Sequence, residues 1–132
     1  ETGTTFCAEK KLAAKLKRHF PKSLHEAPAL LPTENTSLRR ALETWFREQN
    51  IQPRIVAEFE DLALMKVMAA EGRGFIALPS VAADDAAGHY GFQPIGQSEE
   101  CRVQFHAITA ERRLAHPAVA LITSQARVMM KD

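Results

Sequence analysis

The chain has 132 residues, 45% of them hydrophobic and 25% charged, a globular composition that excludes disorder and fits one ordinary domain or one lobe of a larger one. Seventeen basic and sixteen acidic side chains give a net charge of +1, so the chain as a whole supplies no long-range field for a nucleic-acid backbone. Cys7 and Cys101 lie far apart with no C-x-x-C or H-x-x-H partner, which leaves a zinc site or disulfide framework unsupported and points to reduced thiols in a cytoplasmic protein.

The chain opens at Glu1 with no initiator methionine, no basic stretch leading into an apolar one and no run long enough to span a bilayer; it reads as a piece that begins in mid-strand. Residues 4–8 are short and β-prone. Residues 9–20 place Leu12, Ala13, Leu16 and Phe20 at helical spacing, which predicts an amphipathic helix stopped by Pro21. Its other face carries Lys10, Lys11, Lys15, Lys17 and Arg18. No aromatic residues interleave there for base stacking and the rest of the chain offsets the charge, so that face reads as solvated.

Residues 28–31 form a short apolar run, and residues 37–49 place Leu38, Ala41, Leu42, Trp45 and Phe46 on one stripe, the clearest helix in the chain. Thr36 or Ser37 caps it, Glu43 and Arg47 are spaced for an i,i+4 pair, and Asn50 with Pro53 stops it. A strand over 53–59 follows. Residues 61–71 then read as a helix through Leu64, Val67 and Met68, with acids at its start and Gly72 at its end, and residues 74–78 as a strand. Strands alternating with helices across short connections predict an α/β fold with a parallel sheet. After Pro79, residues 81–87 predict a short helix, and 90–95 and 102–108 two strands. In the second strand Val103, Phe105 and Ala107 alternate with Arg102, Gln104 and His106. A last helix starts at about Pro117 with Val119, Leu121, Ile122 and Ala126 as its apolar contacts. Leu31, Leu42, Trp45, Phe46, Val56, Leu64, Met68, Ile76 and Leu78 are expected to form one core.

In an open α/β sheet the ligand lies beyond the carboxyl ends of the strands, here the loops at 33–37, 58–61 and 79–80. Thr36 and Ser37 suit an anion or polar organic group, whereas Glu34, Glu58, Glu60 and Asp61 suit a cation. The same residues also read simply as helix caps and dipole-complementing acids. No G-x-S-x-G, P-loop, G-x-G-x-x-G or metalloprotease helix occurs. His19, His25, His89, His106 and His116 show no ligand spacing, and the adjacent acids Glu60 and Asp61, Asp84 and Asp85, Glu99 and Glu100 show no division of catalytic roles. The expectation is a non-enzyme with no catalytic residue, no cofactor and no metal site.

Three stretches carry a family likeness: residues 37–46 (SLRRALETWF), the strand from Pro53 to Glu60, and residues 68–79 (MAAEGRGFIALP). A capped helix, a strand ending in an acid, a helix, and a glycine-bearing strand closing on proline together resemble the effector-binding domain of LysR-type transcription regulators. Glu58-Phe59-Glu60-Asp61 running into Ala63-Leu64-Met65-Lys66, then His106-Ala107-Ile108, Ala110-Glu111-Arg112 and His116-Pro117-Ala118-Val119, are most similar to the NhaR-type branch, activators of sodium/proton antiporter genes. The likeness covers most of residues 1–122.

That resemblance implies one parallel-sheet lobe of a two-lobe, periplasmic-binding-protein-like (LysR substrate-binding) domain. Residues 1–105 would be the second lobe with a crossing strand at its start, and 106–132 the return crossing and C-terminal helix of an absent first lobe. It also implies a small effector, ion or molecule, held between lobes, with Asn35, Thr36, Ser37, Glu60 and Asp61 facing it. The implied whole is a cytoplasmic homo-oligomer, dimer or tetramer, which meets DNA only through an N-terminal winged helix-turn-helix and has no membrane partner. A sodium or pH response follows from the branch alone. The competing reading is an exported solute-binding protein of related two-lobe fold.

Overall fold

A computed structural model describes residues 2–103 of the chain. In order these form β1 (Thr2–Ala8), α1 (Lys10–Lys17), a 3-10 turn (Lys22–Leu24), β2 (Pro28–Pro32), α2 (Ser37–Glu48), β3 (Arg54–Phe59), α3 (Leu62–Ala70), β4 (Ile76–Pro79), α4 (Ser80–Tyr90) and β5 (Gln93–Val103). The expected strand end at 104–108 with His106, the helix from Pro117 and the whole segment 106–132 lie outside the described residues.

Side-chain capping sets where the helices begin. Glu9 accepts from the N–H groups of Lys11 and Leu12 at 2.9 and 3.1 Å, Thr36 from Arg39 at 3.1 Å, and Asp61 from Ala63 and Leu64 at 2.9 and 3.2 Å. Each satisfies donors that a helix start leaves without an intrahelical partner. After α2, Asn50 takes φ 59°, and after α3, Gly72 takes φ 84°, the left-handed turn that ends a helix. The stops expected for α2 and α3 are therefore the stops used, whereas α1 ends at Lys17, with Arg18 already extended, before the expected stop at Pro21.

The strands order as β4-β1-β5 in one sheet and β2-β3 in another, joined by a parallel bridge between Ala29 and Phe75 whose N–H to O distances are 3.0 and 2.9 Å. The parallel arrangement expected along the chain holds for β2, β3 and β4. β1 is antiparallel to both of its neighbours, so the sheet is mixed. β5 replaces the two separate strands expected over 90–95 and 102–108, and Tyr90 belongs to α4. In the polar run from Gln97 to Glu100, Gln97 and Ser98 pair with Thr5 and Thr4 of β1, and Ser98 Oγ accepts from the N–H groups of Glu100 and Cys101 at 3.1 Å. Two register shifts, between Thr2 and Thr4 and between Phe6 and Cys7, fit eleven residues against seven.

Successive side chains in a strand point to opposite faces, and here both faces are buried. Phe6, Ala29, Leu31, Phe75 and Ala77 join Leu16, Leu42, Trp45 and Phe46 under α1 and α2. Cys7, Leu30, Ile76 and Leu78 join Met65, Ala69, Ala86 and Phe92 under α3 and α4. Phe6 is the hub of the first cluster, with ring centroids 5.0 Å from Trp45, 5.6 Å from Phe20 and 6.2 Å from Phe75. Gly96 is required at its margin, since a Cβ there would lie 2.5 Å from the Phe20 ring.

The single expected core is thus two cores divided by the sheet. Two expected members are outside both: Val56 is 44% and Leu64 48% exposed. Among the described residues β3 pairs only with β2, and α3 turns Met65 and Ala69 inward instead. The expected Glu43–Arg47 pair also gives way, because Glu43 accepts from Arg39 at 2.8 Å. A buried guanidinium needs a partner more than an exposed one does.

Two measurements check this packing. Phe6→Ala is expected to destabilise the chain by about 3–5 kcal/mol in urea unfolding, while Leu64→Ala costs under about 1 kcal/mol. Burial pushes the Cys7 thiol up to about 12, so the native state holds its proton where the unfolded chain has lost it. The sign follows from linkage: this contribution is fully present below the unfolded thiol pKa of about 8.5 and is lost as pH rises toward 12. Cys7 should therefore resist a thiol reagent at pH 8 until the chain is unfolded, as mass spectrometry of labelled peptides will read.

Candidate functional site

Strand directions bring the expected loops to one edge. β2, β3, β4 and β5 run toward it and β1 runs away from it, with Thr2 opposite Val103 and Thr4 opposite Pro79. The amino ends of α2, α3 and α4 follow β2, β3 and β4 at that edge.

The loop after β2 is held by its own polar groups. The Thr33 N–H donates to Phe59 O at 3.1 Å, tying this loop to the end of β3. The Thr33 hydroxyl donates to Asn35 Oδ1 at 2.8 Å, and the Thr36 hydroxyl donates to Thr33 O at 3.0 Å while capping α2. Asn35 and Ser37 are exposed and Thr36 half-buried. Thr36 is therefore used up by the loop, whereas the Asn35 amide N–H2, the Ser37 hydroxyl and the first free N–H groups of α2 remain available as donors. The edge presents hydrogen to an incoming oxygen at this point.

On the neighbouring loop Glu60 and Asp61 are exposed. Asp61 commits Oδ1 to the α3 cap. Glu58 is drawn away from the loop acids, because Arg39 Nη1 donates to Glu58 Oε2 at 2.8 Å. Among the described residues no group of three or more His, Cys, Asp or Glu is placed to hold a metal ion.

Arg39 is the residue that sequence reasoning missed. It is 2% exposed and donates to Pro32 O and Glu58 from Nη1, and to Glu43 from Nε, each at 2.8 Å. One guanidinium thereby joins the first turn of α2 to the carboxyl ends of β2 and β3. The signal lay in the helical pattern: Arg39 stands three residues before Leu42 and seven before Phe46, a cation on the apolar stripe. A second missed group joins β1, β5 and α4, where the Thr5 hydroxyl lies 2.8 Å from Ser80 Oγ and 3.3 Å from Gln97 Oε1. These residues, with Asp84 and Gly96, line a hollow of about 410 Å³. A slightly larger groove, about 470 Å³, runs between α2 and β3 past Phe46, Arg47 and Ile55. It contains none of the expected effector-site residues, and Glu43, Arg47 and Gln52 share its lining with apolar side chains.

A two-face sheet whose helix amino ends converge on one edge is the geometry of a lobe that closes on a ligand. Residues 4–129 match the LysR substrate binding domain family. The chain belongs to that family. It is 37% identical over 103 residues to the transcriptional activator protein NhaR of Escherichia coli (strain K12), covering 78% of this chain and 34% of that protein. The chain therefore spans about a third of the length of that relative. Among solved structures, the CcmR regulatory domain of Synechocystis PCC6803 in complex with 2-PG superposes with a TM-score of 0.57 at 13% identity, over 71% of this chain and 46% of that one. The effector binding domain of QuiR in complex with shikimate gives 0.56 at 17% identity, over 74% and 47%. At these identities what is shared is the fold. A LysR substrate-binding domain is a ligand-binding module of transcription regulators rather than a class of enzyme. Among the described residues no helix is long and apolar enough to cross a membrane.

Replacing Arg39 tests the clamp. Arg39→Met leaves the buried Pro32 carbonyl without its donor and is expected to cost about 1–3 kcal/mol in urea unfolding. The two carboxylates are nearly half exposed and rehydrate, so the loss stays below that of a wholly buried pair. Arg39→Lys should recover less than half, because an ammonium cannot reach three acceptors from one plane. A loss under about 0.5 kcal/mol for Arg39→Met would contradict the clamp.

Proposed function

We infer that this chain is the effector-sensing part of a LysR-type transcription activator of the NhaR type, and that its regulated output is transcription. The observation that carries the reading is the pairing of Thr2 with Val103. β1 begins and the described part of β5 ends side by side at the edge where the helix amino ends converge. Such a pair of adjacent strands suits a lobe, residues 1–105, joined by two crossings to a partner lobe to which 106–132 return.

The ligand then lies between lobes, contacted from this one by Asn35, Thr36 and Ser37, with Glu60 and Asp61 on the same edge. Thr36 acts by holding the loop, and Asn35 and Ser37 offer the donors. No covalent step is needed. An effector that binds one arrangement of the lobes better than the other shifts the packing of a homo-oligomer, and with it the DNA-binding domains of a cytoplasmic regulator. The sodium or pH response of the branch is assigned to the acidic side of this edge: Glu34 is exposed on the loop after β2, and Glu60 and the outer oxygen of Asp61 are exposed on the loop after β3. They make a partial cation site that the other lobe completes, since hard cations take several oxygen ligands.

The test is Glu60→Gln with Asp61→Asn in the full-length protein. Asparagine caps a helix as well as aspartate, so the change removes charge without unmaking α3. The sodium dependence of promoter binding or of in vitro transcription should weaken, while DNA binding without sodium stays unchanged. An unaltered sodium response removes both residues from the effector site. A signal peptide, rather than a helix-turn-helix, encoded upstream would overturn the regulator reading in favour of an exported solute-binding protein.

A further inference from the structure

Charge in this chain is segregated although its total is nearly zero. Residues 9–22 hold Lys10, Lys11, Lys15, Lys17, Arg18 and Lys22 against Glu9 alone, a net of +5, which leaves −4 for the rest of a chain whose total is +1. All six cations are exposed. None makes an ion pair among the described residues, and the carboxylate of Glu9 is engaged in capping α1. At about 100° per residue, Lys10, Lys11, Lys15 and Lys17 occupy an arc of roughly 160° opposite the side that α1 buries. The buried side is marked by Ala13 and Leu16. The cancelling acids lie elsewhere in the sequence and form no ion pair with these six cations among the described residues, and exposed charges beyond a Debye length of about 10 Å are largely screened.

We propose that this exposed cationic face of α1 is a docking surface for the sugar-phosphate backbone of double-stranded DNA, contacted without regard to base sequence. The chemistry selects that partner in three ways. Five of the six cations are lysines, point charges that neutralise phosphates without a fixed bidentate geometry, which suits contact along a backbone of any base sequence. The cationic arc has no aromatic residue to stack on a base, which removes single strands as the preferred target. Ala14 is its sole apolar side chain, so the helix has nothing to insert at a lipid headgroup boundary. A helix of this length runs about 12 Å, and a duplex carries a charge every ~1.7 Å along its axis, so three or four phosphates fall within reach. The choice of duplex rests on the transcription-regulator reading; the surface would add non-specific contacts that hold promoter DNA against the effector lobe.

The experiment uses the 132-residue chain and a fluorescein-labelled duplex of about 30 base pairs of arbitrary sequence, with anisotropy read from about 20 to 200 mM NaCl. The expected result is weak binding whose logarithm falls with log salt at a slope of about −3. Lys11→Gln, Lys15→Gln, Lys17→Gln and Arg18→Gln combined, with far-UV circular dichroism unchanged, should weaken binding about tenfold at low salt and flatten the slope by about 3. Neutralising the same number of charges elsewhere, Arg40→Gln, Arg47→Gln, Arg54→Gln and Arg73→Gln, should leave that slope in place. No binding at the lowest salt, equal loss from both sets, or adsorption to phosphatidylserine vesicles without duplex binding would each overturn the proposal. Duplex binding by this chain is independent of what is encoded upstream, so its failure and the failure of the regulator reading are told apart.

Discussion

One buried cation holds the working edge of this lobe together. Arg39 ties the start of α2 to the last carbonyl of β2 and to Glu58 on β3, with Glu43 closing the set. A charge that is 2% exposed is strongly disfavoured unless its donors are matched, and here three acceptors from three elements match them. The arrangement is more specific than an apolar contact of the same size, because a guanidinium plane tolerates little rotation. It fixes the direction in which α2 points its free N–H groups. The loop at 33–36, whose polar groups bond to each other and to Phe59 O, is then held from both sides, the preorganisation that the proposed effector contact requires.

The same clamp resolves the two opposing signals in the loop chemistry. Four acids near one edge read as a cation site, and hydroxyls with helix N–H groups read as an anion site. Arg39 neutralises Glu58, and α3 takes one oxygen of Asp61, so the donor side of the edge is the better organised of the two. The acidic side keeps Glu34, Glu60 and part of Asp61, yet among the described residues no three such acids are grouped to hold a metal ion, and a hard cation takes several oxygen ligands. The division of labour within the site therefore follows from which charges the fold has already used.

Much of this was legible in the sequence, and the failures have a common cause. The limits of α2 and α3 were readable because single residues decide them: Thr36, Asp61, Asn50 and Gly72 act through local backbone geometry. The alternation of strand and helix gave the fold, and Trp45 and Phe46 were placed in the core by period alone. What could not be read depends on partners distant in sequence. The antiparallel course of β1 between β4 and β5 is a matter of register, not of periodicity. α3, LALMKVMAA, is apolar but for Lys66, so its pattern could not say that Leu64 faces outward and Met65 inward. Arg39 was hidden by its type, since an arginine in a helix is ordinarily read as solvent-facing. The cations of α1 read as solvated because no aromatic residue interleaves and the chain total is near zero; what the sequence could not show is that all six cations of residues 9–22 are exposed and form no ion pair among the described residues.

The account stands on the edge formed by the loops after β2 and β3 being the face that meets the effector. Hydrogen-deuterium exchange of the full-length protein, compared in sodium and potassium chloride at matched ionic strength, addresses that directly. Peptides spanning residues 33–39 and 58–64 are predicted to exchange more slowly in sodium, with the α1 peptide at 10–18 unchanged. Slowing confined to other parts of the lobe, with 33–39 and 58–64 indifferent to the cation, would contradict the assignment of this edge as the effector face.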